Sequence, residues 1–188
     1  MFQELIAKLA GQLDASAIPY MIIGGQAVLL YGEPRLTRDI DITLGIGPEK
    51  HAAVLALAGR LHLKLLAENA QDFVNKTLVL PFLEETTGIR IDFIFSFSTY
   101  EQQAIKRART VHFGPEKKIP VRFAALEDIV IHKIIAGRPR DIEDVRSILL
   151  KNPVRDSGYI VSWLDEFDKN LDMQYLALYR SLEQELGA

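Results

Sequence analysis

Gly24-Gly25-Gln26-Ala27-Val28-Leu29-Leu30-Tyr31-Gly32-Glu33-Pro34-Arg35-Leu36-Thr37-Arg38-Asp39-Ile40-Asp41 is the stretch whose reading decides the fold. Before it, Tyr20, Met21, Ile22 and Ile23 form an apolar run of strand type that holds the two glycines at the end of a sheet. Without side chains, Gly24 and Gly25 let the backbone approach a ligand closely. Gln26 to Tyr31 reads as a short helix, whose first amides have no partner within the helix and point at an anion lying over the glycines. Gly32, Glu33 and Pro34 break that helix and bring in Arg35, Thr37 and Arg38. Asp39 and Asp41 then alternate with Ile40 and Ile42 in a second apolar run that extends to Leu44, so both carboxylates lie on one face of a strand.

Composition sets the outer bounds. The 188 residues suit one domain with a helical appendage, and 48% hydrophobic against 25% charged residues is ordinary for a globular protein. No run reaches the roughly 18 apolar residues needed to span a bilayer. The N-terminal segment carries Glu4 and has no signal-peptide core, so the expected location is cytoplasmic, with no membrane partner. The absence of cysteine excludes disulfides, thiolate metal sites and cysteine nucleophiles. A net charge of −3 argues against a general nucleic-acid coat but leaves room for a local basic patch.

Outward from the opening stretch, apolar residues at helical spacing predict a helix over 2–14, followed by a strand over 20–23, the helix over 26–31 and a strand over 38–44. Pro48 opens a further helix through Val54, Leu55 and Leu57. Strands are expected at 61–66 and 77–83, on either side of the polar stretch Glu68 to Lys76. His51 and His62 have no second ligand at metal spacing and read as surface or boundary residues. Tyr100 to Arg109 reads as a helix, and 110–113 and 119–123 as two strands joined by a Gly114-Pro115 turn. From Leu126 onward the chain is helical: one stripe runs through Ile129, Val130, Ile134 and Ile135, a second helix follows Pro139, and others lie near 159–168 and 172–186. The composition changes near residue 124, which divides the chain into a mixed core over 1–124 and a helical C-terminal subdomain over 125–188 packed on that core.

In Ile89-Arg90-Ile91-Asp92-Phe93-Ile94-Phe95 a single acid stands within an apolar strand. Such a carboxylate requires a partner or a metal. Asp92 is therefore the natural third acid beside Asp39 and Asp41. Three carboxylates form an oxygen-rich set suited to Mg²⁺ or Mn²⁺, and beside glycine amides they suit a nucleoside triphosphate held through the metal. Nucleotidyl transfer is the reaction that such parts fit, with Asp92 helping to remove the proton of an acceptor hydroxyl.

A strand, Gly-Gly, a helix and then Arg-x-Thr-x-Asp-x-Asp on a second strand form a restrictive combination. Over roughly residues 18 to 150 the chain resembles the nucleotidyltransferase superfamily of the DNA polymerase β type, and within it the bacterial abortive-infection nucleotidyltransferase toxins and their uncharacterised relatives. That resemblance implies an α+β fold, a small mixed α/β sheet flanked by helices with a helical C-terminal part. It assigns Asp39, Asp41 and Asp92 to metal and catalysis and Lys133 to the nucleotide, which Gly24, Gly25 and Gln26 would cradle; of the remaining nucleotide-site candidates, Arg35 either clamps phosphate or stabilises the loop, and Thr37 either serves the nucleotide or caps or bonds to Asp39. Gln26 stands where many members carry serine. The segment Ile131 to Asp144 resembles the later motif in which a lysine and then Asp-x-x-Asp follow the sheet. Lys133 matches the phosphate-contacting lysine, and Asp141 and Asp144, with Arg138 nearby, are secondary site candidates. Two readings of the pair stay open. Asp141 and Asp144 share one helix face and either act directly or serve as a helix N-terminal charge and a salt-bridge partner for Arg140, Arg138 or Lys133.

The leading expectation is a Mg²⁺-dependent transferase that binds ATP or another nucleoside triphosphate and moves a nucleoside monophosphate onto a hydroxyl. The resemblance allows an RNA end, a protein or a small molecule as acceptor, and a toxin-antitoxin setting with an antitoxin protein as partner. Lys106, Arg107, Arg109, Lys117, Lys118 and Arg122 either line a polyanion path or form a solvated basic face. A non-catalytic nucleotide-binding or regulatory module of the same fold is the alternative, against which the presence of all three acids argues. A phosphohydrolase would use similar metals.

Overall fold

A computed structural model of the chain describes residues 2–96, 98–113 and 118–187. The expected Gly114-Pro115 turn and Lys117 lie outside these residues. The chain forms two compact units, one of Met1–Gln26 with Leu36–Ala124 and the other of Ala27–Arg35 with Ala125–Ala188. The second unit thus takes Ala27–Arg35 as well as the residues beyond 124.

The first unit is built on one mixed sheet of seven strands flanked by helices, the architecture expected. Its strands are β1 (Tyr20–Ile22), β2 (Asp39–Leu44), β3 (Lys64–Leu65), β4 (Val79–Glu84), β5 (Ile89–Phe95), β6 (Arg109–Phe113) and β7 (Ile119–Phe123), in the order β3-β4-β5-β2-β1-β7-β6. The β2–β5 and β1–β7 pairs are parallel, and the others are antiparallel. Alternation on the central strands explains the layering. Ile40, Ile42 and Leu44 of β2 and Ile89, Ile91, Phe93 and Phe95 of β5 are buried, whereas Asp39, Asp41, Arg90 and Asp92 between them are exposed or half-buried. Phe82 packs edge-on against Phe93 with ring centroids 5.8 Å apart, which adds about 0.5–1.5 kcal/mol to area burial.

Helix α1 (Phe2–Ala15) buries Leu5, Ile6, Leu9 and Leu13, the stripe expected from their spacing, beside β7 and β6. A 3-10 turn over Pro48–Lys50 leads into α3 (His51–Arg60), which buries Val54, Leu57 and Ala58. The strand expected over 61–66 is reduced to β3 because the backbone of His62 turns left-handed after α3, at φ 55°. The polar stretch before β4 folds as helix α4 (Ala70–Thr77). Asn69 caps it by accepting from the Asp72 N–H at 3.1 Å, and Leu78 ends it at φ 58°. Helix α5 (Thr99–Arg107) starts at a capping box: the Ser98 hydroxyl accepts from the Glu101 N–H at 3.2 Å, and the Glu101 carboxylate accepts from the Ser98 N–H at 3.3 Å.

Helix α2 (Gly24–Tyr31) begins in the first unit and ends in the second. The second unit otherwise holds α6 (Leu126–Ala136), α7 (Pro139–Lys151), α8 (Ser157–Leu171) and α9 (Tyr175–Leu186). Helix α6 ends at Gly137, whose φ of 63° suits a residue without a β-carbon, and Pro139 opens α7. The link after α2 is tied to α7 by several bonds. The Glu33 N–H donates to Ser147 Oγ at 2.6 Å, Lys151 Nζ donates to the Gly32 carbonyl at 3.1 Å, and Asn152 Nδ2 donates to the Tyr31 carbonyl at 2.8 Å. In this unit Val145, Ile148, Leu149, Ile160, Leu164 and Tyr179 form the core. Among the described residues no helix is long and apolar enough to cross a membrane.

Candidate active site

The first unit gathers Gly24, Gly25, Gln26, Thr37, Asp39, Asp41 and Asp92. Strand β1 delivers the glycines: its last ladder position pairs Ile22 with Ile42, and the Ile23 N–H then donates to the Asp41 carbonyl at 2.9 Å. Gly24 turns the chain at φ 63°, and its bare α-carbon faces the Asp41 side chain, so an added β-carbon would lie 1.9 Å from Asp41 Oδ2. The turn therefore requires glycine twice, for its left-handed backbone and for the carboxylate that fills the space. Gly25 and Gln26 follow in the first turn of α2, and Gln26 is 9% exposed.

Parallel pairing of β2 with β5 places Asp41 directly opposite Asp92 and Asp39 opposite Arg90. Side chains alternate along both strands, so all four belong to one face. Thr37 Oγ1 donates to Asp39 Oδ1 at 2.6 Å and steadies that side chain. Arg90 Nε lies 2.8 and 3.1 Å from the two oxygens of Asp92. The hydrogen bond to Asp92 raises the Arg90 pKa above its ordinary value, with the charges of Asp92, Asp41 and Asp39 adding and partial burial opposing. Arg90 was not among the residues expected at the site. The signal was in the sequence, since a residue two positions before Asp92 on a strand must share its face.

Among the described residues no three carboxylate or imidazole groups stand at metal-ligand spacing. The donor chemistry nevertheless fits a hard divalent cation. Three carboxylates share one face, the one on Asp41 lies against a glycine that leaves it room, and the one on Asp92 is engaged by an exchangeable guanidinium.

The second unit gathers Arg35, Lys133, Arg138, Asp141 and Asp144. Lys133 Nζ on α6 lies 2.5 Å from Asp141 Oδ1 and 2.9 Å from Asp144 Oδ2, both one turn apart on α7. Arg35 grips the same Asp144 with two bonds, from Nε at 2.9 Å and Nη2 at 3.0 Å. The exposed Arg138 brings its Nε within 3.2 Å of Asp141 Oδ2, in ion-pair contact. Lys133, Asp141 and Asp144 are all buried. Buried Lys133 and the half-buried Arg35 compensate the two buried carboxylates, which offsets the cost of removing them from water. Next to Lys133, burial holds the His132 imidazole down at about 4, with the lysine charge adding to the effect.

Of the basic residues considered for a polyanion path, Arg122 is occupied. Its Nη1 lies 2.5 Å from Asp14 Oδ1, and its guanidinium carbon stands 5.4 Å from the centre of the Tyr20 ring.

A strand, a glycine turn into a helix, and acids on the adjacent parallel strands define a nucleotidyltransferase fold, and solved structures agree. The solution structure of antibiotic-resistance factor ANT(2'')-Ia matches 98% of this chain and 94% of its own, at 19% identity and TM-score 0.56. A crystal structure of ANT(2")-Ia in complex with adenylyl-2"-tobramycin matches 78% and 87%, at 19% identity and TM-score 0.55. An antigenic nucleotidyltransferase-like protein from Paracoccidioides brasiliensis matches 96% and 91%, at 17% identity and TM-score 0.55. Residues 1–166 match the model of a single family, and the chain belongs to it: nucleotidyltransferase of unknown function (DUF6036). No curated protein matches the chain in sequence. The protein is thus an enzyme of the nucleotidyltransferase class.

Proposed function

We propose that this enzyme moves a nucleoside monophosphate from a nucleoside triphosphate, ATP in the first instance, onto the hydroxyl of a small molecule, and that it requires Mg²⁺ or Mn²⁺ to do so. The observation that carries this reading is the β2–β5 register, which sets Asp41 beside Asp92 on the face where Gly24 leaves space for the Asp41 carboxylate.

Asp39, Asp41 and Asp92 would hold the divalent cation, which when bound neutralises charge on the phosphates of the donor. The first amides of α2, which starts at Gly24, would meet the donor's phosphates, and Gly24 and Gly25 would allow their close approach. Thr37 holds Asp39 in its orientation through the bond to Oδ1. Asp92, the acid within the β5 apolar run, accepts the proton of the acceptor hydroxyl as that oxygen attacks the α-phosphorus and pyrophosphate leaves. Lys133 and Arg35 are candidate phosphate contacts, and in that role each would exchange a carboxylate partner for the donor.

A small acceptor is favoured over RNA for two reasons. The net charge is −3, and Arg122, one of the basic residues considered for a polyanion path, is engaged by Asp14. The ANT(2")-Ia structure, which shares the fold, carries an adenylylated antibiotic.

The test is to incubate the protein with each α-labelled nucleoside triphosphate, Mg²⁺ and, separately, an aminoglycoside panel, a small-metabolite pool, total RNA and a protein extract. Label is expected on a small molecule, with pyrophosphate released, and Asp39→Asn/Asp41→Asn should abolish it while remaining folded. Label on RNA or protein would overturn the acceptor and return the abortive-infection reading. Triphosphate binding with no transfer to any pool would establish a regulatory module, and release of inorganic phosphate alone would establish a hydrolase.

A further inference from the structure

Arg90 has no part in the chemistry above, yet it holds one of the three acids. Its Nε contacts both Asp92 oxygens, at 2.8 and 3.1 Å, while its side chain stays 52% exposed. Across β2 it stands opposite Asp39. On its other side β4 presents only Leu83 opposite Arg90 and Pro81 opposite Asp92, so that strand supplies no competing cation. Lys64 lies one strand further out, opposite Leu83, and bonds to Glu85 at 2.9 Å. Three acids and one guanidinium leave this face with a formal charge of −2.

A divalent cation taking Asp92 must displace the guanidinium that grips both of its oxygens. The displaced guanidinium then needs an anion, and a triphosphate brings one. On the donor-site reading above, we propose that Arg90 is a positioning residue: a tethered counter-ion that holds Asp92 against the divalent cation until the nucleoside triphosphate arrives. Cation and nucleotide binding are coupled as a result, and the bare enzyme binds the cation weakly.

The test reads cation binding rather than turnover. Free Mn²⁺ is followed by electron paramagnetic resonance during titration of the wild type, Arg90→Gln, Arg90→Lys and Asp39→Asn/Asp41→Asn, with and without a non-hydrolysable ATP analogue. Without nucleotide, Arg90→Gln is expected to bind Mn²⁺ about tenfold more tightly than the wild type, because the face gains a unit of negative charge. Arg90→Lys should restore most of the wild-type weakness. The analogue should tighten Mn²⁺ binding strongly in the wild type and much less in Arg90→Gln. Circular dichroism confirms that each variant is folded, as the exposure of Arg90 leads one to expect. Binding in Arg90→Gln equal to or weaker than the wild type, with Asp39→Asn/Asp41→Asn still abolishing it, overturns this inference alone. Wild-type binding that is indifferent to Asp39→Asn/Asp41→Asn overturns the donor-site reading and this inference with it.

Discussion

The α-carbon of Gly24 faces the Asp41 carboxylate so closely that a β-carbon would fall 1.9 Å from Oδ2, at a backbone φ of 63°. Gly24→Ala must both adopt a left-handed backbone, which costs an alanine about 1–2 kcal/mol, and push Asp41 aside. The expected outcome is a melting temperature lowered by roughly 2–4 °C for each kcal/mol lost, together with loss of nucleotidyl transfer. Calorimetry and the labelling assay check the two effects. Unchanged transfer in a folded Gly24→Ala would show that the Asp41 orientation does not matter.

Lys133 neutralises two buried carboxylates at once, those of Asp141 and Asp144. Removing one partner from a buried ion pair leaves an uncompensated charge, so Lys133→Met should lose about 3–5 kcal/mol in urea unfolding. The triple change Lys133→Met/Asp141→Asn/Asp144→Asn, made together with Arg35→Met, should recover part of that loss. Triphosphate affinity of the folded Lys133→Met protein tests Lys133 as a phosphate contact. A large drop indicates a phosphate contact, and an unchanged value leaves Lys133 purely structural.

His132 gives stability an acid-side dependence. Its imidazole titrates near 4 in the folded chain, below the ordinary 6.5, so the unfolded chain binds more protons between those values. The contribution is complete above about pH 6.5 and falls as pH drops, by about 1.4 kcal/mol per unit, down to about pH 4. His132→Gln should flatten the pH profile over that window. A profile of unchanged slope in urea titrations would mean that other groups carry the dependence.

Tyr159 donates its hydroxyl to Asp128 Oδ1 at 2.9 Å, and Asp128 is fully buried. Tyr159→Phe keeps the ring and deletes one donor to a buried carboxylate. A loss of about 1–3 kcal/mol is expected in chemical denaturation. A loss below a few tenths would show that the bond contributes nothing net.

The division between sequence and tertiary structure follows the range of the interactions. Period-two alternation alone placed Asp39 with Asp41, and it equally places Arg90 with Asp92. The stripes of α1 and α6 and the stop at Gly137 and Pro139 were likewise written locally. Asn69 and Ser98 are also local cap signals, and the polar stretch from Glu68 to Lys76, to which no element was assigned, holds the first of them. By contrast, the side-by-side parallel pairing of Asp41 with Asp92 and the grip of Arg35 on Asp144, 109 positions away, are choices among many pairings. They are decided when distant segments bury their apolar faces together, and no local periodicity encodes which partner wins. The same holds for Ala27–Arg35, which joins the C-terminal helices through Ser147, Lys151 and Asn152. Local chemistry thus determined which residues this protein could use, and long-range packing decided which of them meet.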